Sequence, residues 1–273
     1  MSLLSALITH PKASPFSELT QHIGLTKITI SYSRPATKGR KIFGELVPYD
    51  RIWGVGANAS TKITVDSDIL VKGKKLQKGT YALYAFPKSD KWEIAFHNNT
   101  SHWGDGRDEY NPEDDEFRIE VIPEPIFYTQ ENFLITFDAL DHNSAIMQLI
   151  WEHTLINIPV YVPTDDLMME YIGKQIQESP TAPTYYEAAR YLQEQQKASN
   201  TALNYLEKAI QLGGDTYYFH RVKSLVEVDL GGYKAAIKSA QLSLDLAKAE
   251  GKDEFVRMNE RNIIVWKQLL KNN

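Results

Sequence analysis

The sequence predicts a two-part protein: an antiparallel, jelly-roll-like β-sandwich over residues 1–163, then a tetratricopeptide-like array of α-helical hairpins over residues 164–273. Three observations carry that expectation. Apolar residues alternate with polar ones in short segments from Glu18 to Val162, the pattern of strands with one face in water. At Pro163 the period changes from two to the helical one. Beyond that point a block of small and apolar residues recurs after 34 residues, the period of tetratricopeptide repeats.

The strand segments follow in order. Thr26–Tyr32 and Thr61–Asp66 alternate, and Lys72–Gln77 reads as a hairpin with its turn near Gly73-Lys74. Gly79–Phe86, Lys91–His97, Phe117–Ile122, Phe133–Phe137, Ala145–Trp151 and Leu155–Val162 continue the style. Many short strands with no long helix between them favour a sandwich or barrel over a parallel α/β sheet.

In the second part, Thr164-Asp165-Asp166 reads as the cap and first turn of a helix running from Asp165 to Glu178. Ser179-Pro180 stops that helix, and Ala182-Pro183-Thr184 opens the next. Ala202, Leu203, Leu206, Ala209, Ile210 and Leu212 recur as Ala236, Ile237, Ala240, Ser243, Leu244 and Leu246. Small residues fall where paired helices approach closely, and Gly231-Gly232-Tyr233 supplies a turn. A last amphipathic helix, Asp253 to Leu270, closes the stack.

Composition narrows the chemistry. The chain has 273 residues, 42% hydrophobic and 24% charged, as in ordinary globular proteins. Its net charge of −5 divides into about −4 for residues 1–163 and −1 for the remainder, so neither part carries the basic field of a nucleic-acid binder. With no cysteine there are no disulfides, thiolate nucleophiles or Cys-ligated metals. No apolar run reaches the roughly 18–20 residues of a transmembrane helix. The stretch from Met1 to Pro11 holds Leu3, Leu4, Ala6, Leu7 and Ile8 without the basic flank of an export signal, and reads as a trimmed remnant or a plain terminus.

The segment Ser31–Thr61 concentrates the candidate chemistry. It is rich in Gly and Pro and carries Arg34, Lys38, Arg40 and Lys41 within an otherwise acidic domain. Guanidinium and ammonium groups there can meet a carboxylate, phosphate or sugar, with Tyr49 and Trp53 as stacking surfaces and Asn58 as a polar contact. In the opposing structural reading, Arg34 and Arg40 pin the loop through local acids and carbonyls while Tyr49 and Trp53 pack into the core.

His97 and His102 bracket a polar stretch beside Trp103, as a polar pocket or as a surface loop. The seven histidines have no zincin spacing, and the seven acids between Asp105 and Glu116 lack the EF-hand pattern, so neither a metal nor any other cofactor is expected. Gly39 and Gly44 have phosphate-loop spacing, but Glu45-Leu46 stands where Lys and Ser/Thr are required. No Gly-x-Ser-x-Gly elbow is present.

The same segment resembles a bacterial family known as domain of unknown function 2911. The resemblance is carried by Tyr32-Ser33-Arg34-Pro35, Lys38-Gly39-Arg40, Ile42-Phe43-Gly44, Leu46-Val47-Pro48-Tyr49, Trp53, Gly56-Ala57-Asn58 and Thr61. It extends through Gly73-Lys74-Lys75-Leu76, Gly79-Thr80-Tyr81, Trp103-Gly104 and Trp151-Glu152, covering about Ser14 to Val162. One departure is Gly54, where the family is expected to place Arg after the Trp. The resemblance implies a β-rich domain, often in exported bacterial proteins and sometimes followed by tetratricopeptide-like helices, with no established reaction or cofactor. A periplasmic or secreted location is therefore expected.

Together these readings favour a binding or interaction module. The sandwich would take a small anionic or carbohydrate ligand, and the helical groove a protein or peptide. The alternative is a hydrolase acting on carbohydrate or peptide, with the Arg34–Asn58 loop, His97 and Trp103 forming one pocket.

Overall fold

The computed structural model describes residues 11–104 and 106–272. The short apolar stretch at the start of the chain and Asp105 of the acidic cluster lie outside the described residues. The chain divides into two compact units, Met1–Leu167 and Met168–Asn273.

The first unit contains two antiparallel sheets. One has six strands in the order β1-β2-β3-β6-β7-β8: β1 (Phe16–Ile23), β2 (Thr26–Ser33), β3 (Thr61–Val65), β6 (Gly79–Pro87), β7 (Trp92–His97) and β8 (Asp115–Val121). The other has four, β5-β4-β10-β9: β4 (Ile69–Val71), β5 (Lys74–Leu76), β9 (Pro123–Asp138) and β10 (Ser144–Tyr161). The β4–β5 hairpin turns at Lys72 (φ 48) and Gly73 (φ 81), the paired positive angles of a tight hairpin whose twist suits its strands.

One hydrophobic core lies between the sheets, because alternate residues of both point into it. On β7, Trp92, Ile94 and Phe96 face this core, while Ala95 belongs to a small cluster on the other face with Ala82 and Tyr84 of β6. An aromatic box occupies the main core. Trp53 stacks on Trp151 at 5.9 Å and meets Phe133 at 5.2 Å, and Phe43 sits 4.5 Å from Trp92.

The expected strands at Ala145–Trp151 and Leu155–Val162 are one continuous strand, β10. No turn residues interrupt it. Instead Glu152, at φ 54, and two register shifts against β9 bend the ribbon without ending it. Phe133–Phe137 is likewise only the end of the sixteen-residue β9.

Six helices follow: α1 (Thr164–Glu178), α2 (Ala182–Glu194), α3 (Ser199–Gln211), α4 (Tyr217–Asp229), α5 (Tyr233–Ala249) and α6 (Asp253–Asn272). From α2 onward each packs on the next, and α2–α4 and α4–α6 also touch, so the even-numbered helices form one layer and α3 and α5 another. Ala202, Leu206 and Ala209 of α3 and Ala236, Ala240 and Ser243 of α5 are all fully buried, so the 34-residue recurrence marks the same inward face twice. Among the described residues no helix is long and apolar enough to cross a membrane.

The cap of α1 comes from the β9–β10 loop and not from Thr164, whose Oγ1 is buried without a partner among the described residues. Asn143 accepts the Asp165 amide at 3.2 Å and donates to the Asp165 carboxylate at 2.7 Å. Asn143→Ala should cost about 1 kcal/mol in chemical denaturation, the usual worth of a helix cap. Hydrogen exchange should quicken at residues 165–167; unchanged exchange there would rule this cap out.

Candidate functional site

The loop between β2 and β3 is held by polar anchors on β9 and β10. Arg34 Nε donates to the Phe133 carbonyl at 2.9 Å, and the Thr37 amide to the Glu131 carbonyl at 2.8 Å. The Glu131 carboxylate accepts from the Thr37 hydroxyl and, at 3.0 Å, from the Lys38 amide. Those two bonds hold its carboxyl below the ordinary glutamate value. A carboxylate stabilised this way anchors the loop at neutral pH and loses the anchor as pH falls through its lowered pKa. Further along, the Ile42 amide donates to Glu152 Oε2 at 3.0 Å.

Within the loop, Arg40 donates to the carbonyls of Thr37 (2.9 Å) and Ala36 (2.8 Å). Lys38, Asp50, Val55 and Asn58 all have positive φ. A β-branched residue such as Val55 rarely adopts that geometry, and only surrounding contacts that over-determine it hold it there. Asn58 supplies some of them, donating to the Ser14 carbonyl and the Ser33 hydroxyl at 3.1 Å each. Val55 supplies another through its carbonyl, which accepts from Thr61 Oγ1 at 2.6 Å.

The predicted residues thus part company. Arg34 and Asn58 are bound to backbone and neighbouring side chains, and Trp53 is 6% exposed within the core, its Nε1 donating to Gly56 O at 3.2 Å. Nevertheless Lys38, Arg40 and Trp53 converge on one pocket of about 380 Å³, completed by Pro35, Leu46, Val47, Gly56 and Trp151. Among the described residues the Lys38 ammonium has no partner. Tyr49, 40% exposed, lines a second pocket of about 240 Å³ with Phe43, Lys88, Trp92, Glu124 and His153.

His97 and Trp103 join neither pocket. Trp103 is 65% exposed, with Lys12 Nζ 5.4 Å from its ring centre. His97 points away from Trp53, on the opposite face of the six-stranded sheet, into a buried polar network. Its Nδ1 lies 2.9 Å from Asp115, and its ring stacks on Tyr110 at 4.7 Å. Asp115 also accepts from Tyr110 (2.6 Å) and Arg118 (2.7 Å), and Arg118 reaches Glu93 at 3.1 Å. Nearby, Tyr84 bonds His102 Nδ1 at 2.9 Å, with the two imidazoles 5.5 Å apart.

Burial and then Asp115 push the Tyr110 hydroxyl far above its ordinary value. Burial opposes the Arg118 charge, yet its bonds to Asp115 and Glu93 hold it above the ordinary arginine value. The network ties the loop between β7 and β8 onto the sheet, and among the described residues His97 Nε2 is buried without a hydrogen-bond partner. Sequence reasoning missed Asp115 and Tyr110, which lie among the seven acids of residues 105–116, and Arg118 in the strand that follows. It also missed Glu131 and the pocket role of Trp151. Among the described residues no group of His, Cys, Asp and Glu could hold a metal ion.

In the helical unit, α1 and α2 flank a groove of about 400 Å³ lined by Met168, Tyr171, Ile172, Ala188 and Tyr191, with Glu187 and Glu194 on its rim. Arg190 is paired with Glu194 at 2.7 Å.

Asp115→Ala should destabilise the first unit by about 3 kcal/mol, because it leaves the fully buried His97 and the partly buried Arg118 without their shared acceptor. Urea denaturation measures this, and a loss under 1 kcal/mol would show the network to be dispensable.

A family model described as "Protein of unknown function (DUF2911)" matches residues 14–160. None of the curated proteins matches the chain. The family match takes in the β2–β3 loop, the Lys38, Arg40 and Tyr49 side chains that line the two pockets described above and the whole aromatic box, and spans more than half of the 273 residues; the chain belongs to the DUF2911 family.

Proposed function

We propose that the protein is a binding module: a jelly-roll-like β-sandwich that holds a small anionic ligand, joined to a tetratricopeptide-like array that grips a peptide. The observation that carries this reading is the convergence of Lys38 and Arg40 on a pocket that also contains Trp53 and Trp151. A guanidinium and an ammonium in one pocket with two indoles suit a carboxylate or phosphate attached to a compact ring.

The described lining residues include no carboxylate and no imidazole. Glycoside or peptide hydrolysis through general acid–base chemistry needs such groups within reach of the scissile bond, so the lining favours binding. The strained, heavily anchored loop supports the same reading, since a pre-formed site gives up less entropy on binding.

For the helical unit, the support is the duplicated buried face of α3 and α5 and the groove between α1 and α2. Stacked helical hairpins of this kind present grooves suited to an extended or helical segment of another protein. The periplasmic or secreted location implied by the family resemblance would place the module among cell-envelope ligands.

Isothermal titration of the full chain with glucuronate, phosphate and acetate tests the anion site. Glucuronate should bind, and Lys38→Ala and Arg40→Ala should each weaken it about tenfold, the worth of one charge-assisted contact of about 1.4 kcal/mol. Equal affinities in wild type and both variants would remove the pocket from consideration.

A further inference from the structure

The Lys38–Arg40 pocket and the Tyr49 pocket share a partition. Between them lies a closed aromatic cluster of Phe43, Trp53, Trp92, Phe133 and Trp151, too tight to admit a water molecule. Trp53 and Trp151 of this cluster also line the cationic pocket, and Phe43 and Trp92 line the second one. Both pockets further abut a single stretch of loop: Leu46 and Val47 wall the first, Phe43 and Tyr49 the second.

That stretch is firmly seated. Val47 donates to the Ile42 carbonyl and Gly44 to the Val47 carbonyl, both at 2.9 Å, while Phe43 is wedged 5.5 Å from Trp53 and 4.5 Å from Trp92. It nevertheless exposes two apolar side chains, Leu46 (43%) and Tyr49 (40%). One loop segment therefore joins the lining of a cationic pocket to that of an aromatic one and exposes Leu46 and Tyr49 in between.

The polar character differs between the two ends. Lys38 and Arg40 make the first end cationic. At the second, Lys88 is offset by Glu124, whose Oε1 accepts from Asn157 at 3.0 Å, and Lys88 itself lies 4.0 Å from Asp50. His153 is held there through Nδ1 to the Tyr128 carbonyl at 3.0 Å. A second anion gains nothing at that end, whereas a neutral ring whose C–H face can lie on Tyr49, with hydroxyls for Lys88 and Glu124, fits its chemistry.

We infer that the ligand is an acidic oligosaccharide, its uronic-acid residue held by Lys38 and Arg40 and its neutral sugars carried across Leu46 and Tyr49 into the Phe43–Trp92 pocket. This rests on the anion-binding reading and extends it from one sugar ring to several.

Titration of the full chain with glucuronic acid and with its xylose and xylobiose conjugates, aldobiouronic and aldotriouronic acid, separates the two claims. The trisaccharide should bind at least tenfold more tightly than glucuronic acid. Tyr49→Ala should bring it down to the monosaccharide's affinity, while Tyr49→Phe, which keeps the ring, should preserve the gain. Thermal melts of both variants establish that each is folded. Equal affinity for one ring and three would overturn the extended site and leave the anion pocket standing. Failure of all three sugars to bind would overturn both.

Discussion

Trp53 is the residue on which the first unit turns. It belongs to a connection between strands, yet its indole lies in the core, stacked on Trp151 and edge-on to Phe43, Trp92 and Phe133. Aromatic pairs of this kind each add about 0.5–1.5 kcal/mol beyond the burial of their area. The long β2–β3 loop is thereby drawn inward at one point and made part of the packed interior, a condition most loops of its length do not meet.

Once that insertion is in place, the backbone polar groups of the loop need partners, because buried amides left unpaired are costly. The longest strands provide them. Glu131 of β9 and Glu152 of β10 accept loop amides, and Phe133 of β9 lends its carbonyl to Arg34. Glu152 combines two roles, since its positive φ also bends β10 where two shorter strands were expected. The bend and the Ile42 anchor are one local feature, while Lys38 is held by Glu131 and Arg40 by the carbonyls of Ala36 and Thr37.

The parts legible in the sequence were those with a strong period. Alternation located β2, β3, β6 and β7, paired positive φ at Lys72 and Gly73 realised the expected turn, and the 34-residue recurrence located the inward faces of α3 and α5. Interactions between distant positions were less legible. Arg34 reaches across 99 positions to Phe133, and Ile42 across 110 to Glu152. No local pattern signals such pairs. The same cause hid Asp115: one acid among seven was selected by its register opposite His97, which only the β7–β8 pairing defines. Of the candidate residues, Lys38, Arg40 and Trp53 come together, while Arg34 and Asn58 serve as anchors and His97 faces the other side of its sheet.

The central claim is that an indole seated between the sheets holds the whole loop in register. Hydrogen exchange of the loop amides in Trp53→Ala tests it most directly, with Thr37, Lys38, Ile42 and Val47 as reporters because each amide is bonded in the folded chain. The account predicts that all four lose protection together while the β6 and β7 amides keep theirs. Protection persisting at these four would mean that the polar anchors suffice without the indole, and would contradict it.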